Sequence, residues 1–282
     1  MRKLMPERRR LELRGCTALV TGASAGIGLA VARRLAASGA NLVIAARRAD
    51  KLEEAAGSLR AMGVRVLTVP TDVGRRDDLE KLVEAAVREM GTIDVLVNNA
   101  GIEAFCHYAD LPLDQIDETV RVNLTSALML TRLVVPHMLA ARRGHVVNMS
   151  STAGKHGPPF GAVYATTKAG LIAFTQAFRA EYRGRGISAS VICPGFADDG
   201  GIYDRMKANS GRRSPALVGS TTADHVARAV VRAIEKDRPE IIVNWPPLRP
   251  VMVFAQLFPT LGATVIRAAV VRFLKRVADS HK

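Results

Sequence analysis

The sequence predicts an α/β fold built on a doubly wound, mostly parallel sheet. Three observations carry this. Short β-branched runs alternate with longer segments of helical period along the whole chain. A glycine-rich turn directly follows the first such run, and no internal repeat or low-complexity linker interrupts the pattern.

Taken in order, the strands are expected at 17–20, 42–45, 65–69, 95–97, 145–149, 188–192 and 240–243. Between them, stretches rich in Ala, Leu, Glu and Arg predict helices at 27–37, 50–61, 76–89, 113–141, 161–183 and 223–236. Seven strands with helices on both faces make one sheet. A chain of 282 residues, 48% apolar and 23% charged, has the size and composition of a single globular domain with a substantial core. The expected division is a basic tail at 1–14, a body at 15–244 and a C-terminal extension at 245–282.

The net charge of +14 is unevenly placed, because the two ends supply nine of the surplus charges and the body is only mildly basic. This favours ends drawn to an anionic surface over a basic groove through the fold, with plain solubilising charge as the alternative. Cys16, Cys106 and Cys193 are odd in number and show no metal-ligand spacing. Neither a disulfide framework nor a metal site is expected, and a reducing, cytoplasmic setting fits. The basic opening lacks the apolar stretch of a secretory signal.

The first strand leads into Thr21-Gly22-Ala23-Ser24-Ala25-Gly26-Ile27-Gly28 and then a helix. Glycines there let the backbone approach a pyrophosphate, whose charge the helix start stabilises. A tight structural turn is the alternative for this motif alone. Further on, Asn98-Asn99-Ala100-Gly101 follows an apolar strand, Tyr164 and Lys168 stand four apart on a predicted helix, and Ser151 precedes that tyrosine by thirteen residues.

With these four motifs in this order and spacing, the chain resembles the short-chain dehydrogenases/reductases of roughly 250 residues, a Rossmann-fold family, from about Leu13 to Val243. The resemblance implies a catalytic tetrad of Asn123, Ser151, Tyr164 and Lys168. A free phenol has a pKa near 10 and is a poor base at neutral pH. A nearby ammonium and a positively charged nicotinamide would favour its ionised form, letting Tyr164 exchange a proton with a carbonyl or alcohol oxygen. Ser151 would hold that oxygen. Lys168 would also hold the nicotinamide ribose, and Asn123 an ordered water. Ser150 competes with Ser151, and the spacing selects Ser151.

The resemblance also implies a cofactor site formed by Gly22, Ser24, Ala25, Gly26, Ile27, Gly28, Asn99, Ala100, Gly101, Tyr164, Lys168, Pro194, Gly195 and Phe196. The second strand ends in Ala45-Ala46-Arg47-Arg48 with no acid before Asp50. An arginine there accepts a 2′-phosphate where a carboxylate would bind the ribose hydroxyl, so NADP(H) is expected over NAD. Arg47 is the expected phosphate contact, and Arg48 is a second contact or an exposed helix-start charge. Asp72-Val73 resembles the adenine clamp, with a helix cap as the alternative for Asp72. One departure stands out: the family often has Thr four residues after the glycine of Pro194-Gly195, and this chain has Asp199, beside Asp198.

The pocket walls are expected at 103–108, 153–161 and 196–219, the last as a lid, around an apolar or lipid-like carbonyl or alcohol. Beyond Asn244 the chain departs from the compact family form. Its uncharged run 251–266 is interrupted by Pro259 and Gly262 and falls short of the ~20 residues of a spanning helix. A helical pair over the pocket or a dimer face is expected, or else an element lying in a membrane interface with Arg267, Arg272, Lys275 and Arg276 at the headgroups. A homodimer or tetramer is open. A 3-oxoacyl thioester reductase is a narrower reading, disfavoured by that C-terminal departure. A nucleotide-sensing or membrane-associated interaction protein is the alternative of another class, opposed by the complete tetrad. No motif supports nucleic-acid binding.

Overall fold

A computed structural model describes residues 11–103, 105–198, 201–211, 213–215 and 218–280. Most of the basic tail, Asp199, Gly200 and part of the third expected pocket wall lie outside the described residues. The chain runs β1 (Thr17–Thr21), α1 (Gly26–Ala37), β2 (Asn41–Ala46), α2 (Ala49–Arg60), β3 (Val66–Pro70), α3 (Arg76–Met90) and β4 (Val95–Asn98). It continues through α4 (Leu113–Val120), α5 (Ser126–Ala141), β5 (Gly144–Met149), α6 (Ala162–Glu181) and β6 (Ile187–Pro194). The last part holds β7 (Ala197–Asp198), α7 (Ile202–Ser210), β8 (Thr221–Thr222), α8 (Ala223–Glu235), β9 (Glu240–Val243), α9 (Arg249–Leu257) and α10 (Pro259–Asp279).

Seven strands form one sheet in the order β3-β2-β1-β4-β5-β6-β9, and every neighbouring pair in it is parallel. The pleat divides the core. Ala18, Val20, Leu42, Ile44, Val95 and Val97 face α1, α2 and α8, while Leu19, Val43, Leu96 and Val146 face α3, α5 and α6. The chain changes direction between β1 and β4. That switch point leaves a crevice at the carboxyl ends of the strands, where ligands bind in folds of this kind.

Four sequence expectations are refined. Leu13 is buried and Leu11 packs against the first core cluster, so the body begins before Gly15. The run 113–141 is helical throughout, but a π-helical turn at Arg121–Thr125 separates α4 from α5. The stretch 196–219, expected to lack regular structure, contains β7 and α7, and β7 pairs with β8. Pro259 and Gly262 do not leave the extension irregular: Pro259 opens α10, where its missing N–H costs little, and Gly262 lies inside that helix. Among the described residues, Leu113–Ala141 is the one helical run long and apolar enough to cross a membrane. Its Leu130, Val134 and Met138 are in the second core cluster, which makes it a core helix here.

Candidate active site

The glycine turn after β1 is held by its neighbours. Gly22 has φ +67 and Gly26 φ +55, conformations that favour glycine. A Cβ on Gly28 would lie 2.2 Å from the Gly22 carbonyl oxygen, so only glycine fits. Asn99 Nδ2 donates to the Thr21 carbonyl at 2.9 Å, and the Asn99 and Ala100 amides donate to Thr21 Oγ1 at 3.0 and 3.1 Å. The end of β4 thus clamps the turn. No side chain caps the start of α1, whose amides are left for a ligand.

Asn123 sits in the π-helical turn, a distortion that often marks function. Its Oδ1 accepts from the Ile102 amide at 2.7 Å and its Nδ2 donates to the Ile102 carbonyl at 2.8 Å, which fixes the strand-to-loop exit beside Gly101. A Cβ on Gly101 would come within 3.2 Å of Asn123 Oδ1 and 3.4 Å of Lys168 Nζ. The two serines separate cleanly. Ser150 also lines the cavity, but its Oγ is buried and its hydroxyl is spent on the Lys168 carbonyl at 2.7 Å. Ser151 Oγ accepts from the Ala153 amide at 3.1 Å and donates to the Pro194 carbonyl at 3.4 Å, and it lines the same cavity as Tyr164.

Tyr164 and Lys168 both project from α6. Lys168 Nζ lies 5.6 Å from the Tyr164 ring centroid and donates to the Met149 carbonyl at 2.9 Å. Burial pushes the Lys168 pKa down to about 8. Burial pushes the Tyr164 phenol up to about 12, the Ser151 hydrogen bond working against that shift and the Glu103 charge adding to it. In the protein alone, desolvation therefore outweighs any lowering of the phenol pKa by Lys168.

These groups line a single cavity of about 600 Å³ with Gly22, Ser24, Ala25, Gly26, Ile27, Gly28, Asn99, Ala100, Pro194, Gly195 and Phe196. Arg48 also lines it. Arg47, Asp72, Val73 and Asn123 stand outside that lining. Arg47 and Arg48 are exposed and make no ion pair among the described residues. Asp72 Oδ1 accepts from the Gly74 amide at 2.9 Å in a turn, and it is Arg75, not Asp72, that precedes α3. Val73 is buried in the second core cluster. Asp198 is paired with Lys207, which offsets its charge near the cavity.

Each expected pocket wall contributes: Phe105 from the first, Ala153, His156 and Pro158 from the second, and Phe196, Tyr203 and Met206 from the third. The sequence alone singles out no residue of the extension as pocket lining. Met252, Ile266, Ala269, Val270 and Leu274 line the cavity too. Phe273 packs edge-on against Phe196 with centroids 5.5 Å apart, and Phe196 lies 5.0 Å from Tyr203. The signal was the three-to-four-residue apolar spacing of Ile266, Val270, Phe273 and Val277, which defines a buried face without saying what it covers.

A solved structure of NAD+-bound xylitol dehydrogenase superposes with a TM-score of 0.76 at 27% identity, covering 83% of this chain and 99% of that one. The 3-oxoacyl-(acyl-carrier-protein) reductase FabG of Staphylococcus epidermidis is 35% identical over 181 residues, 64% of this chain and 74% of the relative. A ketoacyl reductase, HetN of Nostoc sp., is 38% identical over 275 residues, 95% of this chain and 94% of its own length, so that similarity takes in most of the C-terminal extension. The short chain dehydrogenase family model matches residues 16–208. With the parallel sheet and its glycine-lined switch point already described, the chain belongs to the short-chain dehydrogenase family of oxidoreductases.

Proposed function

We propose that the chain is an NADP(H)-dependent oxidoreductase acting on the carbonyl or secondary alcohol of an apolar substrate, with Tyr164 as proton donor and acceptor. The observation that carries this reading is one cavity that joins Ser151, Tyr164 and Lys168 to the glycine turn. The cradle at Gly28, which a Cβ would fill, and the uncapped start of α1 fit a dinucleotide pyrophosphate. The nicotinamide, when bound, supplies the hydride chemistry.

The rest falls to this chain's side chains. A phenol pushed up to about 12 is protonated at neutral pH, so Tyr164 is ready to give its proton to a ketone oxygen. Ser151 holds that oxygen by a hydrogen bond that strengthens as charge grows on it. Lys168 keeps a positive charge behind the phenol, and Asn123 acts as a positioning residue by fixing Ile102 beside Gly101. Residues 11–244 form the catalytic body in this reading, and the extension closes the substrate pocket.

The 3-oxoacyl thioester reading gains support from the ketoacyl reductase whose similarity spans 95% of this chain. The C-terminal departure that disfavoured it loses its force. Tyr164→Phe tests the shared chemistry: we expect kcat to fall at least ~100-fold with NADPH affinity little changed, since the substitution removes a transferable proton and almost no volume. A variant retaining more than about a tenth of wild-type kcat would require another acid. A panel of apolar ketones and 3-oxoacyl thioesters, followed by NADPH absorbance, decides the substrate.

A further inference from the structure

The extension has two apolar faces, and only one of them is covered. Met252, Ala255, Val270, Phe273, Leu274 and Val277 are buried. Leu257 is 69% exposed and Phe258 and Leu261 are each 55% exposed, and all three lie at the turn from α9 to α10. Val253, Phe254 and Val265 are exposed beside them, with the rings of Phe254 and Phe258 5.2 Å apart.

Charge follows the same surface. Along α10 the exposed positions Leu261, Val265 and Ala268 are continued one turn after another by Arg272, Lys275 and Arg276. Arg267 is exposed alongside. These four basic residues make no ion pair among the described residues, and positions 245–278 contain no acidic residue. From Val265 to Arg272 the helix rises about 10 Å. That axial separation sets the apolar tip ahead of the basic residues when the hairpin enters a surface tip first.

We propose that the α9–α10 hairpin docks in an anionic lipid surface, with Leu257, Phe258 and Leu261 in the acyl boundary and Arg267, Arg272, Lys275 and Arg276 at the headgroups. A second copy of the chain pairing through this face would press uncompensated basic groups together, whereas anionic headgroups neutralise them. The inner face of the same hairpin walls the cavity, so docking sets the pocket against the lipid.

The test is co-sedimentation of the full chain with vesicles of phosphatidylcholine alone and of phosphatidylcholine with phosphatidylglycerol, at low and high salt. Wild type is expected to bind the mixed vesicles at low salt and to release them as salt rises. Leu257→Glu/Phe258→Glu should lose binding at least ~10-fold, because charges replace the apolar tip. Arg272→Gln/Lys275→Gln should lose about 10-fold and show a flatter salt dependence. Both variants should keep wild-type NADPH affinity, measured separately, so that failure of docking is distinguishable from failure of the enzymatic reading. The proposal is overturned if wild type does not sediment with mixed vesicles, or if the tip variant binds as well as wild type. It is equally overturned if analytical ultracentrifugation finds a dimer that the tip variant dissociates, since the face is then covered by a second copy.

Discussion

Lys168 is a cation whose side chain is almost entirely buried, and this gives it a measurable signature in the pH dependence of stability. Its pKa of about 8 in the folded chain lies below the ordinary value of 10.5, and burial is the leading cause. Between those values the unfolded chain binds more protons than the folded one, so this residue's contribution to stability improves as pH rises from about 8 to 10.5. Below that window the full cost of burying the charge is present. Lys168→Met removes the effect. The melting temperature of wild type should therefore gain on that of the variant as pH increases through the window, and a constant difference, measured by calorimetry, would show that the ammonium is not desolvated. The two arginines after β2 allow a second residue-scale prediction. Arg47 is the one the sequence singles out, yet Arg48 lines the cavity. A charge-assisted bond to a 2′-phosphate contributes roughly 1.5–3 kcal/mol, so replacing its donor by Ala should weaken NADPH about 10-fold or more and leave NADH unchanged. Titration of Arg47→Ala and Arg48→Ala separately identifies the donor. Equal wild-type affinity for the two cofactors would refute the NADP(H) preference.

At the level of elements, Gly262 is the point on which the C-terminal hairpin turns. A Cβ there would stand 2.3 Å from Ala255 Cα, so the two helices meet at backbone distance. Gly262→Leu restores helix propensity but forces α9 and α10 apart, and overpacking of this kind costs about 1–3 kcal/mol. We expect a lower melting temperature and a raised KM for bulky ketones, with NADPH affinity intact; calorimetry and steady-state kinetics read both. The same glycine shows what was legible in the sequence. Six of the seven expected strands fall wholly within observed ones, because hydrophobic period is a local property, and the glycine turn and the residues proposed as the tetrad stand out in the sequence because a fold of this kind fixes their spacing. Gly262 and Pro259 look like interruptions in the sequence because a close helix crossing depends on a partner that local sequence does not identify. The π-helical turn is likewise locked by Asn123 against Ile102, a contact between residues 21 positions apart. In α7, Tyr203 and Met206 are buried in one cluster with side chains of α10 and with Phe196, so that helix packs on the same extension.

Across the whole molecule, the two large core clusters and the small aromatic one have different owners. The two large clusters flank the sheet and contain no residue beyond Val243. The third joins Phe105, Tyr164, Tyr203 and Met206 to Val270, Phe273, Leu274 and Val277, so half of its buried members come from α10. A chain ending after Pro247 keeps the paired backbone hydrogen bonds between Ser220 and Trp245 and loses only the hairpin. The Asn99 clamp on the glycine turn is made between the ends of β1 and β4 and uses no residue of the part removed. NADPH affinity should therefore persist. The substrate side should not, because Tyr203, Met206 and Phe105 would lose their cover and the cavity its wall. We expect KM for a bulky ketone to rise much more than for a small one, as apolar contact area is lost in proportion to substrate size. Binding of a hydrophobic dye should increase with the newly exposed side chains. If the shortened chain failed to bind NADPH while remaining folded by circular dichroism, the extension would have to be assigned to the cofactor site as well. If instead KM for large and small ketones rose equally, the hairpin would be a general support for the fold and not a wall of the substrate pocket.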